Sequence, residues 1–145
     1  PTRRSSDLAE FLYPIAALVL LTFIVMFAML KERIAEFKER RIHPQSAPSS
    51  SQLNTVLKNT KGADNYKNLL EMPVLFYVLC VILMQTSKNL PPALIYMAWA
   101  YVALRYWHSF VHVGYNKVMT RFKIFLASAV LLLLMWIVAV WQIAV

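Results

Sequence analysis

Four long apolar runs dominate the chain, at residues 11–30, 69–87, 92–112 and 122–145, and most polar residues lie on their flanks and connections. About 20 apolar residues in a helix cross the ~30 Å hydrocarbon layer of a bilayer. Lipid offers the backbone no hydrogen-bond partner, so each run is expected to be a helix that satisfies its own amides. The runs lack the broad polar stripe that a helix on the surface of a soluble bundle shows. The pattern predicts an all-α integral membrane protein, a four-helix antiparallel bundle with both termini on one side.

The segments between the runs refine this expectation. Pro14 stands close to the start of the first run, where a missing amide hydrogen costs least. Residues 31–41, KERIAEFKERR, are helix formers of mixed charge with Glu36 four before Arg40, so the first helix is expected to continue beyond the membrane. HPQSAPSSS then reads as the core of a flexible linker at about 42–60, with His43 solvated. Helical spacing returns from Leu53, and Asp64, Lys67, Asn68 and Glu71 recur on one face. Pro73 removes one helical hydrogen bond and is expected to bend the second span and open a polar pocket. TSKNLPP makes a short turn into the third span, and Trp136 and Trp141 belong to an interfacial aromatic belt near the end of the fourth.

The third run is the unusual one. Tyr101, Arg105, His108, His112 and Asn116 fall within an arc of roughly 80° at about 100° per residue, and beyond Tyr101 the same face becomes apolar. Such a stripe predicts the lining of a cleft that stops halfway, which excludes a continuous transport path. An arginine at membrane depth costs ~3 kcal/mol or more unless paired, and Glu71 is the acidic residue nearest in depth, so a Glu71–Arg105 ion pair is expected. His108 and His112 have the i, i+4 spacing of metal ligands, but a third ligand would have to be Glu71, and no metal is expected.

Composition then decides the class of partner. The 145 residues are 59% hydrophobic and 15% charged, with formal charge +8 and a mean hydropathy of +0.53. In this setting the positive charge orients the protein in its membrane; nucleic acid is excluded as a partner. Lys31, Arg33, Lys38, Arg40, Arg41, Lys58, Lys61 and Lys67 precede the second span, and Lys117, Arg121 and Lys123 surround the third-to-fourth turn. The opposite side has Lys88 in its only loop. By the positive-inside bias the two basic connections are cytoplasmic and both termini lie outside. The lone Cys80 sits in mid-span as a small apolar residue. Residues 1–8, PTRRSSDL, match the translated end of a common sequencing adapter and are expected to be an artefact, leaving 9–145 as one membrane domain.

Two motifs carry a resemblance. Asn68, Leu69, Leu70 and Glu71, followed by Pro73 and Phe76, and Leu104, Arg105, Tyr106 and Trp107, leading to His108, His112 and Arg121, are similar to the second helix, and to the third helix and following turn, of the MAPEG family. These are the membrane-associated proteins of eicosanoid and glutathione metabolism, and the likeness covers nearly the whole chain. It implies a homotrimer, of the bacterial inner-membrane type, that takes glutathione as co-substrate near the cytoplasmic face. It further implies that Lys67, Asn68, Glu71, Arg105, His108 and His112 bind the thiol and that Arg121 is catalytic. A fixed cation suits that role because a thiol of pKa ~8.5 is mostly protonated at neutral pH.

The implied activity is that of a transferase or peroxidase acting on lipophilic electrophiles or lipid hydroperoxides. Asp64 stands where catalytic relatives tend to carry arginine, His112 where several carry tyrosine, and Phe122 and Phe125 replace hydroxyl-bearing residues. Those departures define the alternative, a non-catalytic scaffold of the same fold that presents lipid to a partner.

Overall fold

The structure, a computed structural model, describes residues 2–86, 89–115 and 117–145, with the side chains of 2–8 and 113 outside the description. Five α-helices account for most of the chain: α1 (Thr2–Glu39), α2 (Ser50–Val56), α3 (Lys61–Gln85), α4 (Ala93–Val113) and α5 (Val118–Ala144), with a 3-10 turn at Pro44–Ser46. No strand occurs among the described residues. Packing joins α1 to α3 and α4, α4 to α5, and α3 to both α4 and α5.

Each long helix turns a narrow stripe inward. On α1 the buried positions are Phe11, Pro14, Leu18, Leu21, Val25 and Met29, at three- and four-residue steps; on α5 they are Ile124, Ser128, Leu132, Met135 and Ala139. These steps keep one face of a 3.6-residue helix in register with its neighbours. The remaining faces stay apolar and exposed, as at Phe23, Phe27, Leu133 and Ile137. Such a surface belongs in lipid, where helices gain little by hiding one apolar surface against another and are held by close packing and interhelical hydrogen bonds. Phe76 stacks on Tyr101 with ring centroids 4.7 Å apart, and Tyr106 Oη donates to the Ala17 carbonyl at 2.7 Å, tying α4 to α1.

Among the described residues three helices are long and apolar enough to cross a membrane: the Ala9–Glu39 part of α1, α3 and α5. The predicted third span is present as α4, 21 residues long, yet it does not reach that apolarity. The reason is its second half, where Arg105, His108, Ser109 and His112 replace aliphatic residues. Helix α3 starts at Lys61, eight residues before the predicted span, and continues through the buried Pro73. Ser87, Lys88 and Asn116, three residues on which the sequence reading drew, lie outside the described residues.

The connection between α1 and α3 is more ordered than a plain linker. Helix α1 runs past the apolar segment, as expected, and the i, i+4 pair of Glu36 and Arg40 forms at 2.9 Å. It ends where Arg41 adopts φ 52° and Ile42 N–H reaches back to the Phe37 carbonyl at 3.1 Å, the closure of a Schellman motif. Ser49 and Gln52 then form a reciprocal capping box that starts α2. Between α2 and α3 the Glu36 carboxylate accepts the backbone N–H of Lys58 at 2.7 Å and of Asn59 at 3.3 Å, while Arg40 Nη1 donates to the Val56 carbonyl at 2.6 Å. Two side chains at the end of α1, Glu36 within it and Arg40 just after it, thereby take up backbone groups of the connection, and Leu57 is buried beside them. These hydrogen bonds hold the Glu36 carboxyl below the usual carboxylate range, the Lys58 amide being the largest cause.

Candidate functional site

The polar stripe of α4 faces inward, as its spacing requires. Tyr101, Arg105, His108 and His112 are all buried, and Ser109 joins them. The two imidazoles meet edge to face with centroids 5.8 Å apart. One turn earlier Arg105 is completely enclosed: its Nε donates to Tyr101 Oη at 3.2 Å, and its guanidinium lies 5.4 Å from the ring centroids of both Tyr101 and Phe125. Cation–π contacts of this kind are worth ~2 kcal/mol each when desolvated. They offset only part of the several kcal/mol that enclosing an unpaired cation costs.

The expected Glu71–Arg105 ion pair does not form. On α3 the inward stripe is Asn65, Leu69, Pro73 and Phe76, and Glu71, two positions from Leu69, is rotated by about 200° to the outer face. Its side chain is 57% exposed and meets Lys67, one turn earlier, at 3.8 Å. The local i, i+4 partner is always within reach, whereas Arg105 is on the inner face of another helix. The same rotation removes Glu71 as a third metal ligand beside the two histidines. Asp64 is exposed as well and accepts Thr60 Oγ1 at 3.2 Å, in the first turn of α3, where a carboxylate complements the helix dipole.

Sequence-predicted residues do converge elsewhere. A cleft of about 230 Å³ is lined by Asn68 of α3, His108 of α4 and Val118, Arg121, Phe122 and Phe125 of α5. Val118 is the first residue of α5 and Arg121 lies in its next turn. Among the described residues no side chain caps that helix start, and the helix's amide end and a guanidinium raise the positive potential at the same wall. Opposite in character are Phe122 and Phe125, which make an apolar side. Of the seven predicted site residues, Asn68, His108 and Arg121 line this cleft; Lys67 and Glu71 flank Asn68 on the outer face of α3, and Arg105 and His112 lie in the helix interior. Asn116, the last member of the predicted stripe, is outside the described residues.

Two polar residues carry the interior without having been singled out by pattern. Asn65 is fully buried and accepts Ser109 Oγ at 3.1 Å, joining α3 to α4 beside the histidines. Asn65 sits on the core stripe with Leu69 and Phe76, which was a signal available in the sequence, but its partner is 44 positions away.

A cleft that combines an amide, an imidazole, a guanidinium at a helix start and an aromatic wall can bind an anion or a thiolate beside an apolar reactant. A sequence model described as the MAPEG family matches residues 11–141. No curated protein and no solved structure matches the chain.

Proposed function

The chain belongs to the MAPEG family, and from that premise we propose that this membrane protein is a transferase or peroxidase that uses glutathione, or a similar low-molecular-weight thiol, on lipophilic electrophiles or lipid hydroperoxides. The observation that carries the proposal is the meeting of Asn68, His108 and Arg121, from three helices, in one cleft with an aromatic wall. In this reading Arg121 holds the thiolate sulfur, since a guanidinium keeps its charge at any physiological pH. Asn68 and His108 bind polar groups of the tripeptide, and Phe122 and Phe125 receive the electrophile from the lipid side.

The chemistry closes without a metal or redox cofactor. In transfer, the thiolate sulfur forms a bond to an electrophilic carbon, and the leaving group departs with the bonding pair. In peroxide reduction, two thiols become a disulfide while the hydroperoxide becomes an alcohol and water. Both begin with thiol ionisation, which a fixed cation favours at neutral pH.

The reading includes a homotrimer of four-span antiparallel subunits in the bacterial inner membrane, with the cleft on the cytoplasmic side. Two features support assembly. A cleft of about 230 Å³ is below the ~300 Å³ at which ligand pockets usually begin, so one chain builds part of a tripeptide site. Lys67 and Glu71 flank Asn68 on an exposed face that continues as Leu70, Val74, Leu75 and Val78, and a neighbouring subunit there would cover two charges and bring them to the shared site. In this reading the cleft is on the cytoplasmic side, an orientation that the excess of basic residues in the two connections supports through the positive-inside bias.

A lipid-presenting scaffold is the second reading, favoured by an open apolar groove of about 150 Å³ between α1 and α3, lined by Val19, Thr22, Phe23, Leu69, Leu70, Val74 and Tyr77. Detergent-purified protein assayed with a chloronitrobenzene and with cumene hydroperoxide, together with calorimetry of glutathione binding, separates the two. Turnover supports the enzyme; thiol binding without turnover supports the scaffold. Absence of both at millimolar glutathione removes the thiol reading.

A further inference from the structure

We infer that the turn between α4 and α5 is a docking surface for an anionic phospholipid, its headgroup at Lys117 and Lys123 and one acyl chain along the outer face of α5. Charge is the first observation. All seven Asp and Glu residues of the chain precede residue 72, whereas Lys117, Arg121 and Lys123 cluster around this turn. Arg121 belongs to the cleft. Lys117 and Lys123 are exposed, and among the described residues neither makes an ion pair. The last acidic side chains in the sequence, Asp64 and Glu71, are engaged on α3 by Thr60 and Lys67. Lys117 Nζ lies over the ring of Tyr115, 5.7 Å from its centroid.

The surface below these charges is the second observation. Met119, Lys123, Leu126, Val130, Leu133 and Ile137 recur at three- and four-residue steps, so they share one stripe of α5, and all are exposed. Lys123 is the single charge on it. From Lys123 to Leu133 the helix rises about 15 Å, half of the ~30 Å hydrocarbon layer. A phosphate at Lys123 therefore sets its acyl chain on the apolar part of the stripe for the depth of one leaflet. Trp107, Phe110 and Tyr115, exposed on either side of the end of α4, supply the aromatic rings that favour headgroup depth.

Together the two observations select a lipid from among anions. A nucleic acid or an acidic peptide answers the charge and leaves the apolar stripe uncovered; a zwitterionic lipid covers the stripe and leaves the cations without a counter-charge. Lysine suits a headgroup, because its stem lies along apolar surface while the ammonium reaches the interface. A second copy of the chain seated on this stripe would enclose Lys123 and would have to bring an acid to it.

The test uses no thiol and so stands apart from the proposed activity. Full-length protein in detergent is titrated with dioleoyl phosphatidylglycerol and with dioleoyl phosphatidylcholine, and bound lipid is counted by native mass spectrometry. Phosphatidylglycerol is expected to bind roughly 25-fold more tightly, about fivefold from each lysine. Lys117→Gln and Lys123→Gln are each expected to remove about fivefold, and the double variant to bind the two lipids about equally. Lys58→Gln, at an exposed lysine of the α2–α3 connection, is expected to keep the full preference. The inference is overturned by equal binding of both lipids to the native protein, by a preference that survives the double variant, or by an equal loss in Lys58→Gln, which would trace it to net charge. Displacement of phosphatidylglycerol by millimolar glycerol phosphate would show a site for free anions, and a double variant that changes the number of chains per particle with lipid preference intact would give the stripe to a second copy. Either result also overturns it.

Discussion

Glu36, near the end of α1, accepts the backbone N–H of Lys58 at 2.7 Å across 22 residues of chain. That single carboxylate, with Arg40 on the Val56 carbonyl, fastens a proline- and serine-rich connection to the end of α1 just where α2 finishes. Glu36→Ala is expected to speed proteolytic cleavage within residues 42–60 while leaving the long helices intact, as read by mass spectrometry of the fragments.

The same contact has a pH dependence of predictable sign. Because the folded carboxyl lies below its ordinary value, its contribution is fully present above the unfolded carboxylate value of ~4.3. It is lost as pH falls through the lowered folded value. Hydrogen exchange at the Lys58 amide should therefore stay slow from neutrality down to about pH 4 and accelerate below it. In Glu36→Gln the amide is expected to exchange at a pH-corrected rate that shows no such step; a step that survived would assign it to another group.

Tyr106 Oη on the Ala17 carbonyl is an interhelical bond in a lipid-facing protein. Tyr106→Phe keeps the ring and deletes the donor, so a loss of about 1 kcal/mol is expected, seen as a midpoint lowered by roughly 2–4 °C.

Gly62 is the point of closest approach between the starts of α3 and the end of the apolar part of α1. A Cβ there would stand 2.8 Å from Glu32 Oε2 and 3.2 Å from Met29 Cα. The carboxylate can swing aside, the helix backbone cannot. Gly62→Leu is expected to destabilise by about 1–3 kcal/mol, measured by thermal unfolding in detergent.

Arg121 provides the test of the proposed chemistry. Arg121→Ala is expected to lower kcat/KM with a chloronitrobenzene by ~10²-fold at pH 7, on the scale of removing one fixed donor from a developing anion. The deficit should shrink as pH rises toward ~8.5, where a free thiol ionises unaided. A deficit that stayed constant with pH would mean that Arg121 positions the substrate and leaves its ionisation alone.

Much of the architecture was legible in the residues because it is governed by local rules. The apolar runs announced their helices since a chain in lipid has no other way to satisfy its backbone, and the Glu36–Arg40 pair followed from helical spacing alone. The α4 stripe of Tyr101, Arg105, His108 and His112 was readable as inward-facing for the same reason. Its partners were not. Arg105 was expected to meet Glu71, and instead it is enclosed by Tyr101 and Phe125, while Glu71 turns outward to Lys67. Depth in a membrane can be counted along a chain, but the rotation of one helix against another cannot.

What the sequence by itself determined, then, is the four long helices and the inward face of α4, consequences of period and composition, and, through its two motifs, the family the chain belongs to. Only the tertiary structure decided which ends meet. It brought Asn68, His108 and Arg121 from three helices into one cleft, joined Asn65 to Ser109, and left Arg105 without an acidic partner in the core. The physical reason is that each of those outcomes depends on how side chains of different helices interdigitate, a property of packed volume rather than of any stretch of sequence.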